Sequence, residues 1–188
     1  MTSFAVLRDE LRLRKPQRIC DRDAVEAAVA LVLVQHAVSS PELLLVKRAE
    51  RDDDPWSGQM ALPGGRREPQ DRDLAETACR EAHEETGVDL SVAELLGELD
   101  DLHPRMRVLP SIVVRPFVFA LDRRPAVRLS PEVTLYVWAS LSDLKAAGGV
   151  STLTVRGQTL EVPSYRVGPH VVWGMTERII KPLIDLQK

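Results

Sequence analysis

The spacing of apolar residues predicts a helix near each end of the chain. Phe4, Leu7 and Leu11 recur at the spacing that places them on one helical face, so residues 3–14 are predicted to form a short amphipathic helix. A second helix is predicted over residues 175–187. Its buried face would consist of Ile179, Ile180, Leu183 and Ile184.

Apolar runs between these helices predict strands. Residues 24–35 are almost uninterrupted Val, Ala and Leu, the pattern of a strand that is buried on both faces. The run from Ser111 to Leu121 contains Pro116, which cannot donate a hydrogen bond to a neighbouring strand, so an edge position or a bulge is expected there. Further strands are predicted at residues 42–47, 92–99, 133–139, 152–155, 159–162, 165–167 and 171–173.

These elements predict a mixed fold. Strands and helices follow one another without a regular βαβ order, which favours an α+β fold or a three-layer α/β/α sandwich with a mixed sheet. A short helix is expected to begin at Ser142 and to end at Gly148 and Gly149. The sequence contains no repeat and no linker, so residues 1–188 are predicted to form a single domain.

Composition narrows the classes of function. The 188 residues are 44% hydrophobic and 28% charged, as in ordinary globular proteins. The net charge of −3 gives no basic field of the kind that binds nucleic acids nonspecifically. No apolar run approaches the ~20 residues of a membrane span, and two cysteines far apart in sequence suit a reducing compartment. We therefore expect a cytoplasmic protein without a nucleic-acid or membrane partner.

Residues 64–88 are predicted to form a glycine turn followed by an acidic helix. At about 100° per residue, Glu81, Glu84 and Glu85 lie within an arc of about 100° on that helix. Like charges at this spacing cost a few tenths of a kcal/mol, and a hard divalent cation reverses the sign because it prefers carboxylate oxygens. The alternative is a solvated acidic face without a metal. A neighbouring face packs through Leu74, Ala78 and Ala82. Asp71 or Asp73 can cap the start of the helix, and Gly87 can end it.

This segment resembles the signature box of the Nudix hydrolases, which has the form Gly, five residues, Glu, seven residues, Arg-Glu-apolar-x-Glu-Glu-x-Gly-apolar. Arg80 to Val88 match the second half in full. In the first half, Asp71 replaces the Glu, and eight residues separate it from Arg80. The resemblance implies an α/β/α sandwich with a mixed sheet. It also implies metal-dependent hydrolysis of a phosphoanhydride bond in a nucleoside diphosphate compound, a small-molecule partner.

The resemblance assigns roles to particular residues. It implies that Glu81, Glu84 and Glu85 bind Mg²⁺ or Mn²⁺, and Arg80 would orient a carboxylate through a bidentate ion pair. Glu68 could serve as a further ligand or as a brace. The substrate phosphates would be met by the glycine turn and by cations near it. The residues proposed for substrate binding are Gly64, Gly65, Arg48 and Arg66, with Arg51, Arg67, Arg105 and Arg107 as other available cations.

The general base is left open between a glutamate of the box and one on a distant loop. Glu132 is a candidate because it immediately precedes a strand, and its alternative role is to fix the turn by accepting backbone hydrogen bonds. Glu98 and the pair Asp100-Asp101 are weaker candidates. His103 and His170 are expected to be structural because neither has a second histidine at metal-ligand spacing.

A second motif bears on the substrate. Residues 44–49 (Leu-Leu-Val-Lys-Arg-Ala) and 57–65 (Ser-Gly-Gln-Met-Ala-Leu-Pro-Gly-Gly) are similar to the segment that precedes the box in the coenzyme A pyrophosphatase branch. Trp173-Gly174-Met175-Thr176 resembles that branch's Trp-Gly-Leu-Thr. The resemblance implies coenzyme A as substrate, cleaved to a 4′-phosphopantetheine product and adenosine 3′,5′-bisphosphate. The alternatives are ADP-ribose, NADH or a nucleotide sugar, or a binding module without catalysis. The oligomeric state is open, with a homodimer among the options.

Overall fold

The computed structural model describes residues 4–35, 40–51, 56–104, 111–155 and 157–186. These residues form four helices and ten strands. None of the four helices has the length and apolar composition needed to cross a membrane. In chain order the elements are α1 (Phe4–Leu13), β1 (Val25–Val34), β2 (Glu42–Arg48), β3 (Met60–Ala61), β4 (Gly64–Arg66), α2 (Leu74–Thr86), β5 (Glu94–Glu98), β6 (Ile112–Leu121), β7 (Val133–Ser140), α3 (Leu141–Ala146), β8 (Gly148–Val155), β9 (Gln158–Val167), β10 (His170–Trp173) and α4 (Gly174–Asp185).

The larger sheet is mixed and has β1 near its centre. Strand β1 pairs in parallel with β6 from Val25 opposite Ile112 to Val34 opposite Leu121. On its other edge β1 pairs antiparallel with β4 at one end and with β2 at the other. Strands β3 and β7 both join β2, and β5 joins β6. The mixed sheet expected from the sequence is confirmed.

The two faces of β1 carry the two halves of the core. Because side chains alternate along a strand, Ala28, Ala30 and Val32 face one way and pack with the apolar face of α2. Leu31 and Leu33 face the other way and pack with buried residues of the remaining three helices. Helices therefore cover both faces of the sheet, and the predicted α/β/α sandwich is confirmed.

A smaller sheet, ordered β10-β9-β8, follows α3 in the chain. The strands predicted at residues 152–155 and 159–162 are present and longer than expected, and Gly148 and Gly149, expected to end a helix, begin β8. Strand β10 pairs with β9 from His170 opposite Val167 to Trp173 opposite Ser164. Tyr165 and Val172 share a core cluster with the main sheet, so the larger and smaller sheets pack on common apolar residues. This supports the single domain over residues 1–188, which stays a prediction.

Two sequence predictions about local structure are wrong. The edge position considered for Pro116 is wrong, because β6 lies between β1 and β5. The other alternative, a bulge, is found in the partner strand β5, whose register with β6 shifts between Leu95 and Gly97. The Leu99 N–H donates to the Pro116 carbonyl at 3.0 Å, and the Leu99 carbonyl accepts from Arg18 Nη1 at 3.0 Å. The guanidinium thus takes the place of the N–H that proline lacks. The short helix α3 is capped by Ser140, whose hydroxyl accepts from the Asp143 N–H, and not by Ser142.

Candidate active site

Helix α2 carries the acidic residues, and both of its ends are capped. The Asp73 side chain accepts from the Glu76 N–H at 2.9 Å and so is the N-cap. Gly87 adopts a left-handed conformation with φ of 68° and donates its N–H to the His83 carbonyl, as the sequence predicted. Asp71, the other aspartate considered for the cap, does not cap the helix.

Asp71 is buried and is the bidentate partner of Arg80. Arg80 donates from Nε to Asp71 Oδ1 at 3.0 Å and from Nη2 to Oδ2 at 3.1 Å. Asp71 also accepts from Thr77 Oγ1 and from the Glu68 N–H, each at 2.9 Å. The hydrogen bonds from Arg80 are the main cause that holds the pKa of Asp71 well below its usual range. The loop before α2, which is one residue longer than in the signature box, therefore places an aspartate, and not the longer glutamate, beside Arg80.

The Arg80 guanidinium also contacts the acids of α2 and the backbone of β4. Its Nη1 donates to Glu81 Oε1 at 3.0 Å and to Glu84 Oε2 at 3.1 Å, and its Nη2 donates to the Arg66 carbonyl at 3.0 Å. These bonds raise the pKa of Arg80 further above its ordinary value, with the bond to Asp71 contributing most. One cation thus fixes the separation between the loop, the helix and β4.

The segment predicted as a glycine turn is strand β4, and its glycines make room for two neighbours. A Cβ at Gly64 would lie 2.4 Å from the Ala28 carbonyl oxygen of β1. A Cβ at Gly65 would lie 2.4 Å from Glu81 Oε1. The first glycine allows β4 to pair closely with β1, and the second leaves space for the Glu81 carboxylate.

Glu85 is the buried acid of this group, and Glu81 is half-buried. Glu85 is 4% exposed, accepts from the Gly64 N–H at 3.1 Å, and has Arg48 Nη1 3.9 Å from its Oε1. Burial raises the pKa of Glu85 to about 7 against the lowering effect of these two partners. Burial likewise raises the pKa of Glu81, which is half-buried. Glu84 is exposed, with Arg80 beside it.

The donor set fits a hard divalent cation that brings its own water. Glu81 and Glu85 offer carboxylate oxygens, and burial raises the pKa of each, an effect that a bound cation would offset. Within the described ranges, no three acidic, histidine or cysteine side chains lie close enough to hold one ion together. Mg²⁺ commonly uses one or two carboxylates together with waters and substrate phosphates. Glu81 and Glu85 would therefore be its ligands, and Glu84 could reach it through water.

A cleft of about 620 Å³ opens beside β4. It brings together Arg48, Arg51 and Arg66 from the cations singled out in the sequence, together with Glu132 and Trp56. The rest of the described lining is largely apolar and comes from β1, β3, β6 and the start of α4: Ala27, Ala28, Val29, Met60, Ala61, Leu62, Ile112, Val114, Met175 and Ile179. Charged and apolar groups thus share one cavity.

The other candidate cations are placed differently. Arg67 Nη1 donates to Glu26 Oε2 at 2.8 Å, and its Nη2 donates to backbone carbonyls of the loop before α2. Arg67 therefore braces this loop. Arg105 and Arg107 lie outside the described residues. The candidate arginines that line the cleft are Arg48 of β2, Arg51 of the loop after β2, and Arg66 of β4.

Glu132 lies in the cleft beside Arg51. Its Oε1 accepts from Arg51 Nη2 at 3.2 Å, and its charge contributes to the raised pKa values of Glu81 and Glu85. The turn hydrogen bond expected of its side chain is made by Ser130, whose hydroxyl accepts from the Glu132 N–H at 3.3 Å. The carboxylate of Glu132 is thus directed to a guanidinium in the cleft.

The weaker candidates for the base have structural partners. Asp101 is buried and receives Arg115 Nε at 2.8 Å and the Ile19 N–H at 3.0 Å. Asp100 pairs with Arg14, and Glu98 pairs with Arg18. These acids attach the segment after α1 to the end of β5. None of them lies among the described residues that line the cleft.

The two histidines and Trp173 lie away from the acids of α2. His103 Nε2 lies 2.8 Å from Ser111 Oγ. His170 begins β10 and is half-buried. Trp173 is half-buried and directly precedes α4. The sequence predicted Ile179 as a core residue but did not indicate that Ile179 and Met175 line the cleft. The Trp-Gly-Met-Thr motif, which contains Met175, was the signal that could have indicated this role.

Comparison with known proteins gives a family match. The sequence model of the NUDIX domain matches residues 25–153. The chain is 32% identical over 172 residues to the Nudix hydrolase NudL of Photorhabdus laumondii, covering 89% of this chain and 87% of that protein. It is 26% identical over 179 residues to the mitochondrial coenzyme A diphosphatase NUDT8 of Mus musculus, covering 94% of this chain and 84% of the mouse protein.

Two further matches differ in coverage. A protein of Schizosaccharomyces pombe is 41% identical over 111 residues, which are 56% of this chain and 34% of the yeast protein. This chain thus spans about a third of that relative. Among solved structures, the MutT protein of Methanosarcina mazei superposes with a TM-score of 0.51 and 26% identity, covering 68% of this chain and 85% of that chain.

Proposed function

The chain belongs to the Nudix family, and on that premise we propose that it hydrolyses a phosphoanhydride bond in a nucleoside diphosphate compound with the help of Mg²⁺ or Mn²⁺. The enzyme class expected from the sequence, a Nudix pyrophosphohydrolase, is confirmed by the family match. The observation that carries the proposed reaction is the pair of carboxylates formed by half-buried Glu81 and buried Glu85, at the glycine strand that borders the cleft.

Different residues of the chain would have different roles in such a reaction. A bound divalent cation supplies positive charge for the nonbridging oxygens of the diphosphate. Glu81 and Glu85 would hold that cation, and Arg80 keeps Glu81 in place through a 3.0 Å hydrogen bond. Arg48 and Arg66, which both line the cleft, would orient the phosphates by charge-assisted hydrogen bonds.

Glu132 is the proposed general base. It lies in the cleft, it is accessible to water, and its charge is felt by both Glu81 and Glu85. A base must lie near the water that attacks phosphorus, and a glutamate outside the metal-binding pair keeps its lone pairs for the proton. Arg51 holds Glu132 at 3.2 Å and so restricts its rotation.

Coenzyme A is the proposed substrate, cleaved to 4′-phosphopantetheine and adenosine 3′,5′-bisphosphate. The match to mouse coenzyme A diphosphatase, over most of both chains, supports this choice. The three arginines in the cleft support it as well, because coenzyme A carries a phosphate beyond its diphosphate. The cytoplasmic location expected from the sequence stays a prediction, and the name of the mouse relative places that protein in mitochondria.

The test is a hydrolysis screen with Mg²⁺ and Mn²⁺ over coenzyme A, ADP-ribose, NADH, nucleotide sugars and nucleoside triphosphates. We expect metal-dependent turnover with the highest kcat/KM for coenzyme A. Glu85→Gln or Glu84→Gln should lose several orders of magnitude in rate with little loss of stability. Glu76→Gln, in the first turn of the same helix, where its carboxylate pairs with Arg72, is the matched control. Normal turnover by both Glu84→Gln and Glu85→Gln would refute the assignment of the acids. No turnover of any compound would favour a binding module.

A further inference from the structure

We propose that the apolar wall of the cleft binds the uncharged, non-nucleotide arm of the substrate, while the nucleotide half lies at the arginine end. The apolar wall consists of Ile112 and Val114 of β6 with Met175 and Ile179 of α4. The proposal rests on the function proposed above and deepens it, because it states which part of a two-armed diphosphate each end of the cleft receives.

The two ends of the cleft differ in chemistry. Every charged side chain among the described lining residues belongs to β2, to the loop after it, to β4 or to the turn before β7. Of the cleft-lining residues that adjoin the apolar wall in sequence, Thr176 is polar, and its Oγ1 donates to the Met60 carbonyl at 3.0 Å. Its hydroxyl proton is therefore already used by the protein.

The sheet topology separates the β6 part of the apolar wall from the arginine end. At the level of Ala27 to Val29, β1 has β6 on one edge and β4 on the other. Neighbouring strands are about 4.8 Å apart, so β6 and β4 are separated by about 10 Å. Glu132, before β7, belongs to the side of the sheet beyond β4, because β7 pairs with β2 and not with β6. A diphosphate placed at the acids beside β4 would extend one arm toward β6 and the other toward Arg51.

The chemistry of the wall selects between kinds of arm. A sugar carries several hydroxyls, and each one that leaves water without finding a hydrogen-bond partner weakens binding. Ile112 and Met175 are half-buried and present only apolar side-chain atoms. An arm made largely of methylene and methyl groups gains from the same burial. The wall therefore favours a pantetheine-like arm over the ribose of ADP-ribose or the hexose of a nucleotide sugar.

The arginine end suits the nucleotide half. Trp56 lies there, in the loop that also carries Arg51, and its ring can stack on a base. A nucleotide with an additional phosphate would meet Arg48 and Arg51 on the same side.

The test uses the two halves of coenzyme A as separate probes. The methyl groups of Ile, Val and Met are isotopically labelled, and NMR spectra are recorded during titration with 4′-phosphopantetheine or adenosine 3′,5′-bisphosphate. We expect 4′-phosphopantetheine to shift the methyl signals of Ile112, Met175 and Ile179, with much smaller changes from the nucleotide. The proposal is overturned if 4′-phosphopantetheine leaves these signals unchanged, or if the nucleotide shifts them as much.

Two variants and one control extend the test. Met175→Gln and Ile112→Thr keep the approximate shape of the wall and add polar atoms, so each should weaken 4′-phosphopantetheine binding by about 10-fold. The affinity for adenosine 3′,5′-bisphosphate should change by less than about 2-fold, since that half is proposed to bind elsewhere. Val150→Thr, on β8 outside the described lining and 68% exposed, should change neither affinity. Equal losses for both probes in the wall variants would contradict the proposal.

Failure of this inference is separable from failure of the proposed function. The NMR experiment requires no catalysis, because each probe is only one half of the substrate. An enzyme that cleaves coenzyme A while 4′-phosphopantetheine leaves the wall unshifted would retain the proposed function and lose the inference. If the apolar wall binds 4′-phosphopantetheine in a protein without metal-dependent turnover, the inference is retained and the proposed function is refuted.

Discussion

The Glu81 carboxylate occupies the space that a side chain on residue 65 would need. A Cβ at Gly65 would come within 2.4 Å of Glu81 Oε1 and 2.5 Å of its Cδ. The clash involves the far end of a side chain and no backbone atom. The position of this acid therefore depends on the absence of a side chain in β4, as well as on α2 and Arg80.

Gly65→Ala should consequently damage activity more than stability. The carboxylate must move to admit a methyl group, and a displacement of about 1 Å at a reacting centre can cost about 100-fold in rate. We expect kcat to fall by about that factor, with a small change in melting temperature. Gly64→Ala is the matched variant, and it should destabilise the fold because its Cβ meets the Ala28 backbone at 2.4 Å. A kcat for Gly65→Ala within 3-fold of wild type, as a rough limit, would contradict the positioning role of Gly65.

Asp71→Asn should lower stability at neutral pH and reduce its acid dependence. The folded pKa of Asp71 lies below the unfolded value, so its contribution is present above about pH 4 and is lost as the pH falls through the folded value. Removal of one partner of a buried pair costs about 3 kcal/mol. Urea unfolding from pH 7 down to pH 2 measures both effects. Asp122→Asn, at an exposed position after β6, is the control; an equal loss in this control would refute the assignment.

Glu85→Gln should stabilise the metal-free protein at high pH. The folded pKa of Glu85 is raised to about 7 by burial, so the stability linked to its proton is full below about pH 4.5 and is lost as the pH rises through 7. The glutamine is uncharged and can still accept from the Gly64 N–H. In EDTA we expect a higher melting temperature than wild type at pH 8 and a small difference at pH 5, with an upper bound of about 3 kcal/mol.

The same pair of proteins tests the metal site. Added Mg²⁺ or Mn²⁺ should raise the melting temperature of the wild type at pH 8, because a ligand that binds only the folded state stabilises it. The rise should be much smaller for Glu85→Gln, which lacks one of the two proposed ligands. Equal rises in both proteins would place the cation elsewhere.

Glu132→Gln addresses the general base directly. If Glu132 accepts the proton of the attacking water, kcat should fall by about 100- to 1,000-fold with little change in KM. Glu98→Gln, whose carboxylate pairs with Arg18, provides the control. A decrease in kcat of less than about 10-fold would indicate that the general base is instead a glutamate of α2.

Much of the fold and part of the candidate site could be predicted from the sequence because they depend on local order. The 3.6-residue period placed Glu81, Glu84 and Glu85 on one side of a helix, and Gly87 marked its end. Uninterrupted apolar residues in β1 indicated a strand covered on both faces, as the structure shows. These features require only neighbours within a few turns or alternate positions along a strand.

The tertiary structure decided the contacts between residues far apart in sequence. Only the packed chain shows that Gly65 leaves room for Glu81, and that an arginine near the N-terminus accommodates Pro116 in a central strand. The cleft likewise joins β6 to the start of α4, which are separated by more than fifty residues in the chain. A helix period or a strand alternation carries no information about such distant partners. The positions of the acids on one side of α2 therefore follow from the local sequence. The residues that hold these acids in place, and those that form the cleft beside them, are brought together by the packing of the whole fold.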